Sequence, residues 1–334
     1  MKPISDSCST IPMSLRELYA PVRDELAAVE DLLRAELASD YPFVDLLVKH
    51  GFRLGGKRLR PALVLLSASA VGSLSSEHVK LAASVELIHT ATLIHDDVLD
   101  EAELRRHLDT VNARWDNEAS VLLGDYLFSR SICLAASVDG GYGCRAIGEA
   151  ARVMCEGELR QVQNRGNFDL SEADYFDIIF GKTGALLACC CRLGAHYAGA
   201  DDDQRAALMR YGELLGIAFQ IADDLLDLTG DETTAGKSLG TDLLKQKATL
   251  PLIRLLAAIP EDEREPLMAV LSNSQDRHRE TLHSWFNRYG TLDYAREKAR
   301  QFAREAGSHL ASLPPCPARD SLEGLCEFVV SRRQ

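Results

Sequence analysis

Apolar residues recur at three- and four-residue spacing along nearly the whole chain, and no sustained run alternates apolar with polar as a half-buried strand would. The pattern predicts helices over 13–37, 57–71, 77–106, 119–138, 143–165, 172–199, 204–230 and 241–258, with several more toward the C-terminus. Punctuation agrees with this reading. Ser171-Glu172-Ala173-Asp174 has the form of an N-cap and acidic first turn, while Gly140-Gly141 and Pro314-Pro315 read as breaks. The polar stretch 1–12 lacks the periodicity and is expected to be disordered. No Pro-, Gly- or Ser-rich linker divides the middle, so residues 13–334 are expected to form one all-α domain. The expected architecture is a single large helical bundle whose site lies in a central cavity between facing helices.

Two of the apolar stretches are interrupted by the same acidic pattern. Leu87–Ile94 runs into Asp96-Asp97-Val98-Leu99-Asp100, and Leu214–Phe219 precedes Asp223-Asp224-Leu225-Leu226-Asp227. A helix turns about 100° per residue, so Asp96 and Asp100 share a face, as do Asp223 and Asp227. Carboxylates so placed repel one another unless a cation or solvent offsets them. Asp-Asp pairs are often solvated helix caps. Two matched clusters, the first expected in mid-helix, point instead to half-sites facing each other across a cavity. Carboxylate oxygens without His or Cys at ligand spacing suit Mg²⁺, with Mn²⁺ as a substitute, rather than zinc. Mg²⁺ keeps several waters and shares its shell with substrate phosphates, so the economical reading is a diphosphate bridged to both acidic faces. His95 could support a metal-bound Asp or be a core histidine, and the sequence leaves both open.

Cations stand at separated points. Gly55-Gly56-Lys57-Arg58-Leu59-Arg60-Pro61 reads as a turn entering a helix, Arg105-Arg106 follows the first acidic cluster, and Lys182-Thr183, Lys237 and Lys247 come later. Arg offers forked donors to phosphate and Lys a mobile point charge. One such run alone is ordinary surface; together with two acidic clusters the set becomes a phosphate site.

The run Gly-Gly-Lys-Arg-Leu-Arg-Pro, then Ile94-His95-Asp96-Asp97-x-x-Asp100, Leu104-Arg105-Arg106, Gly181-Lys182-Thr183 and Phe219-Gln220-x-x-Asp223-Asp224-x-x-Asp227 closely resembles the trans-isoprenyl diphosphate synthases, or polyprenyl synthetases. Order and gaps match over roughly residues 50–255. The resemblance implies metal-dependent, head-to-tail condensation of an allylic diphosphate with isopentenyl diphosphate. On this sequence it implies that Asp96 and Asp100, with Asp97 adjacent, hold Mg²⁺ on the allylic diphosphate, and that Asp223, Asp224 and Asp227 face them with a further ion. It implies that Lys57, Arg60, His89 and Arg106 bind isopentenyl diphosphate. Arg105, Lys182, Lys237 and Lys247 would contact the allylic diphosphate, and Thr183 and Gln220 would line the reacting carbons. One departure is visible: the family often has Gly after the Arg-Arg pair, where this chain has His107. A homodimer is implied by the resemblance alone.

The chemistry asked of such a site is charge stabilisation. Cleavage of the carbon–oxygen bond leaves an allylic cation and a diphosphate whose negative charge grows in the transition state, where metal ions and Lys/Arg act best. The isopentenyl double bond attacks the cation, a proton is lost to the departing diphosphate, and water must be kept out. No Ser or Cys nucleophile is required.

Composition removes other classes. A net charge of −13 lacks the basic footprint that nucleic acid needs. The nine cysteines include Cys189-Cys190-Cys191, whose side chains diverge around a helix and cannot form a disulfide framework. They read as reduced, buried residues of a cytoplasmic protein. No signal peptide is expected, and no apolar run reaches the ~18 residues of a membrane span. Glu261-Asp262-Glu263-Arg264-Glu265 reads as a solvated helix face, and Trp285 and Phe286 as packing anchors. A terpene cyclase would not need the Gly-Gly-Lys-Arg-Leu-Arg site for a second diphosphate. A noncatalytic subunit of a heteromeric synthase should have lost some of the six carboxylates, and here all six stand.

Product length is argued from the helix below the first cluster. Thr92 and Ala91 lie about one turn deeper than Asp96, and Ile88 another turn down. In the family a bulky aromatic at that level stops growth at short products. The small residues here therefore predict an all-trans product longer than fifteen carbons, the alternative being a short-chain farnesyl or geranylgeranyl diphosphate synthase. Tyr126 and Phe128 are expected on the opposite wall. Replacing Ala91 by Phe should shorten the product distribution, read by sizing dephosphorylated products; an unchanged distribution would sink the tunnel assignment.

Overall fold

A computed structural model of the chain describes residues 13–53, 56–230, 240–271 and 278–332. The expected disorder of 1–12, Gly55 and Lys237 therefore lie outside the described residues. The described residues are 81% helical, as the periodicity predicts. In order the helices are α1 Leu15–Leu18, α2 Arg23–Glu36, α3 Pro42–Arg53, α4 Leu59–Val71, α5 Ser76–Leu99, α6 Val111–Arg114, α7 Asn117–Ala136, α8 Tyr142–Gln163 and α9 Glu172–Ile179. There follow α10 Ala185–Tyr197, α11 Asp202–Thr229, α12 Thr241–Leu244, α13 Leu250–Ala258, α14 Glu261–Leu271, α15 His278–Arg288, α16 Thr291–His309 and α17 Pro317–Ser331.

Four predicted boundaries move, each for a local reason. The helix expected over 13–37 breaks at Ala20–Val22, a 3₁₀ turn carrying Pro21. The span 241–258 splits around left-handed Gln246. The helix expected over 77–106 ends at Leu99, with left-handed Glu101 (φ 50°) just beyond it. The chain then forms a short antiparallel hairpin, Leu104–Arg105 with Leu108–Asp109. Its two-residue loop is Arg106-His107, both left-handed (φ 54° and 63°), the geometry that tight hairpin loops demand and that glycine meets at least cost. His107 thus occupies a strained position, and the acidic cluster before it ends its helix rather than sitting mid-helix. The span 172–199 contains a π-helical turn, Phe180–Gly184, between α9 and α10. Such turns break the regular ladder and re-aim side chains, frequently at functional sites.

α10 lies centrally, packed on α4 and α11, while α5 packs on α7 and α11 on α16. Two apolar cores result. The larger gathers Leu63, Leu66, Leu87, Ile88, Leu187, Leu193 and Leu215 among others. The smaller gathers Ile178, Ile221, Leu225, Leu255 and Phe286, which bears out the reading of Phe286 as an anchor, with Trp285 packed against it. α11 gives Leu208, Tyr211, Leu214, Leu215 and Ala218 to the larger core and Ile217, Ile221, Leu225 and Leu228 to the smaller, so its acidic cluster stands beside the smaller core. Cys189, Cys190 and Cys191 are buried, and every described cysteine is a free thiol. Asn117–Ala136 and Glu172–Tyr197 are long and apolar enough to cross a membrane by length and composition alone, and the second span is mostly buried inside the bundle.

Glycines allow the close approach of α10 and α11. A Cβ at Gly212 would stand 2.6 Å from the Leu187 carbonyl oxygen, and one at Gly216 would stand 2.5 Å from the Gly184 Cα. Their absence lets α11 lie against the π turn that carries Lys182 and Thr183. In an open helix Gly→Ala stabilises by up to about 1 kcal/mol. Here the opposite sign is expected: Gly216→Ala should destabilise by about 1–3 kcal/mol through overpacking, measured by urea unfolding, and a stabilised variant would contradict the crossing.

Candidate functional site

Both acidic clusters fall in the last turns of their helices. Asp100 caps α5, and Asp223, Asp224 and Asp227 occupy the final two turns of α11. Carboxylates there meet the negative end of the helix dipole, and the structure answers with cations and donors. Asp97 is 1% exposed and accepts a forked pair from Arg105, whose Nη2 and Nε lie 2.7 and 2.8 Å from Oδ1. Asp100 pairs with Lys245 and has Lys247 Nζ at 3.9 Å. Asp223 accepts Arg332 Nη2 at 2.8 Å. Asp224 spends one oxygen on the Tyr175 hydroxyl (2.6 Å) and the other on Gln220 Nε2 (2.8 Å). Asp227, 3% exposed, accepts the backbone N–H of Asp242 at 3.2 Å.

The six expected metal-binding carboxylates therefore divide. Asp97, Asp224 and Asp227 are buried and engaged by protein donors, while Asp96, Asp100 and Asp223 are more open. Burial pushes the Asp96 carboxyl up to about 6, against the pull of Lys182. Burial, followed by the nearby Asp242, also raises Asp224. Burial alone would raise Asp100, but Lys247 and Lys245 outweigh it and hold that carboxyl below its usual range. Among the described residues no three His, Cys, Asp or Glu side chains converge on one point. A closed protein cage of the zinc kind does not fit. A hard ion that takes one or two carboxylates and completes its shell with water and diphosphate oxygens does fit this oxygen-only set.

Lys182 rides the π turn, paired with Glu158 and donating to Gln161 Oε1 at 2.9 Å. Burial works to lower its ammonium, but Glu158 and Asp96 more than reverse that, so it stays charged. Beside it Thr183 donates its hydroxyl to Gln220 Oε1 at 2.7 Å. A hydrogen-bonded row thus runs Thr183, Gln220, Asp224, Tyr175. Lys182, Gln220, Tyr175, Asp242 and Lys247 line one pocket. Tyr175, Asp242 and Gln161 in this pocket, and Glu158 on Lys182, are not singled out by the sequence reading. Their only sequence signal is helical phase, since Glu158 and Gln161 lie one turn apart on α8.

A second cluster of cations lies on the α4 and α5 side. Lys57 and Arg58 precede α4, and Arg58 adopts a left-handed φ of 52° that points its guanidinium inward to Glu30 and to buried Glu86 (2.7 Å). A Cβ at Gly56 would collide with the Arg106 guanidinium, so glycine is what admits Arg106. Arg60 is pushed down by burial, and its Nε is buried without a partner. Burial, then the neighbouring Arg60, Arg105 and Arg106, pushes His89 well below its ordinary value and keeps it neutral. Arg332 joins from α17: it lies over the Phe219 ring at 3.9 Å, donates to the Phe219 carbonyl at 3.2 Å and is only 6% exposed. Burial, then Arg332, lowers the Lys57 ammonium. The sequence reading missed Arg332 because nothing in a C-terminal Arg-Arg marks its return to the centre.

Three other expected residues are placed as follows. Arg105, expected at the allylic diphosphate, pairs with Asp97. Phe128 is 38% exposed on the outside of α7, because two residues of helix separate it from Tyr126 by about 200°; Tyr126 does pack on the core. His95 Nε2 lies 3.1 Å from the Val121 carbonyl and 3.6 Å from Asp125 Oδ1, over the space left by Gly124. Ile88 and Ala91 are fully buried, and Thr92 donates to the His89 carbonyl at 2.9 Å.

The raised carboxyl of Asp96 has a consequence for stability. An unfolded Asp ionises near about 3.9, so the folded protein bears the cost of burying this charge once pH exceeds about 6 and none when both states are protonated. Asp96→Asn should therefore raise the thermal midpoint of the metal-free protein at pH 8, with the gain shrinking between about pH 6 and 4 and vanishing below about pH 3; a gain independent of pH would contradict this.

The polyprenyl synthetase family matches residues 42–288. The chain is 35% identical to an octaprenyl diphosphate synthase of Escherichia coli over 321 residues, covering 96% of this chain and 99% of the relative. Its fold is similar to that of a polyprenyl synthase from Caulobacter crescentus, complexed with calcium and isoprenyl diphosphate, at TM-score 0.93 and 36% identity, over 97% of this chain and 100% of that one. It is likewise similar to a decaprenyl diphosphate synthase from Rhodobacter capsulatus, at TM-score 0.90 and 40% identity, over 96% and 100% of the two chains.

Proposed function

The chain belongs to the polyprenyl synthetase family and is a prenyltransferase, and on that premise we propose that it condenses isopentenyl diphosphate head-to-tail with an allylic diphosphate to give all-trans products longer than fifteen carbons. The observation that carries this reading is the presence of two cation-lined sites rather than one. Lys182 and Lys247 stand beside the acidic clusters, while Lys57, Arg60, His89 and Arg106 form a separate group with an unpartnered Arg60 Nε. Two diphosphates need two such sites, and a cyclase needs only the first. The product length is supported by the octaprenyl and decaprenyl names of the similar proteins above.

Asp96, Asp100 and Asp223 would hold the divalent ions, Mg²⁺ or Mn²⁺, with Asp97, Asp224 and Asp227 fixing the ligands from behind. The ions supply positive charge at the departing diphosphate. Lys182, positioned by Glu158 and Gln161, and Lys247 add fixed charge at the same leaving group, where negative charge grows. Lys237 is assigned there with them. Arg105 keeps Asp97 in place. Neutral His89 donates one N–H without adding charge, and Lys57, Arg60 and Arg106 hold the isopentenyl diphosphate. The oxygens of Thr183 and Gln220 face the cationic carbons, and the final proton passes to the released diphosphate. Ala91, Thr92 and Ile88 bound the growing chain. Val121, Leu122 and Phe128 expose 43, 60 and 38% of their surface on α7, and a second copy covers them in a homodimer. The protein works in the cytoplasm.

The test is incubation of the purified chain with Mg²⁺, labelled isopentenyl diphosphate and, separately, dimethylallyl, geranyl, farnesyl or geranylgeranyl diphosphate. A ladder extending beyond fifteen carbons, abolished by chelator, is expected. A fifteen-carbon stop would refute the length, and no condensation with any starter would refute the activity.

A further inference from the structure

Lys245 has no part in the reaction just described, yet it lies on a central carboxylate. The chain leaves α11 past the second acidic cluster and returns at Gly240, whose N–H donates to the Asp227 carbonyl at 3.0 Å, while the Asp242 N–H donates to Asp227 Oδ2 at 3.2 Å. One turn of helix, α12, follows. Gln246 then adopts a left-handed φ of 54°, and its carbonyl accepts the Gly166 N–H at 2.9 Å. The Lys247 N–H closes the turn on the Asp242 carbonyl at 2.8 Å. Residues 240–247 are thus a strap rooted in the second acidic cluster and pinned at its far end to the segment after α8.

That strap reaches the first acidic cluster. The Lys245 ammonium pairs with Asp100 Oδ1, and Lys247 Nζ lies 3.9 Å from the same oxygen while holding Asp242 Oδ1 at 3.2 Å. Lys247 therefore has a second carboxylate to rest on, whereas the side-chain contact recorded for Lys245 is Asp100. An ordinary exposed ion pair would be worth ~0–1 kcal/mol and call for no comment. This one occupies an oxygen on the open face of the cluster, where a divalent cation would bind.

We propose that Lys245 is a built-in counter-ion for Asp100: it neutralises the first acidic cluster in the substrate-free protein and must withdraw before a divalent cation binds there. This rests on the reading of Asp100 as a metal ligand. The benefit is a cluster that does not repel itself while empty; the cost is weaker metal binding until a diphosphate draws the ammonium away. Lys245 thereby makes divalent-cation binding depend on the substrate, with no separate regulatory site.

The experiment is titration of the full chain with Mn²⁺ in the absence of any diphosphate, followed by electron paramagnetic resonance, for the wild type, Lys245→Gln, Lys245→Arg and Asp100→Asn. Lys245→Gln should bind Mn²⁺ about fivefold more tightly, equivalent to ~1 kcal/mol, and Lys245→Arg should bind as the wild type does. Equal affinity in Lys245→Gln and the wild type would overturn the proposal. Undiminished Mn²⁺ binding in Asp100→Asn would instead overturn the assignment of Asp100 on which it stands. Lys245 is part-exposed and outside both cores, and an unchanged thermal midpoint verifies that Lys245→Gln is folded.

Discussion

Six carboxylates stand in the last turns of two helices, where the backbone dipoles already present negative charge. Each misplaced carboxylate costs ~0.3–1 kcal/mol from the dipole alone, before mutual repulsion. Much of the local structure is the response. Arg105 comes back through a hairpin to fork onto Asp97, Arg332 returns from α17 to Asp223, and Lys245 and Lys247 arrive on a strap to reach Asp100. Tyr175 and Gln220 fix Asp224 by hydrogen bonds. Side chains that look scattered in sequence are partners of one charge cluster.

The cores make this arrangement rigid enough to be used. α10 and α11 approach through glycine, and that approach holds the π turn bearing Lys182 and Thr183 against Gln220 and Asp224. α11 contributes Ile221, Leu225 and Leu228 to one core and Asp223, Asp224 and Asp227 to the site within the same two turns. Packing and chemistry thus share one helix, and a change in its phase would disturb both.

Periodicity was enough to read the helical class and the helix bearing each acidic cluster, because burial imposes the 3.6-residue repeat directly. Paired carboxylates were legible for a similar reason: Asp is rare inside apolar helices unless something holds it. Backbone turns were not. The hairpin at Arg106-His107 depends on two left-handed residues without glycine, and the π turn at Gly181-Lys182-Thr183 leaves the apolar spacing almost unchanged. Long-range partners were illegible too, since Arg332 and Asp223 are 109 residues apart and nothing local couples them. Phe128 faces away from Tyr126 because two residues are about half a turn of helix.

The two acidic clusters are expected to act together on one ion-bound diphosphate. Anomalous diffraction at the manganese edge, from crystals grown with Mn²⁺ and an allylic thiodiphosphate, tests it most directly. Manganese peaks beside Asp96 and Asp100 and beside Asp223, joined through the same diphosphate, are the expected result. Manganese at one cluster only, or a diphosphate bound away from both, would contradict it.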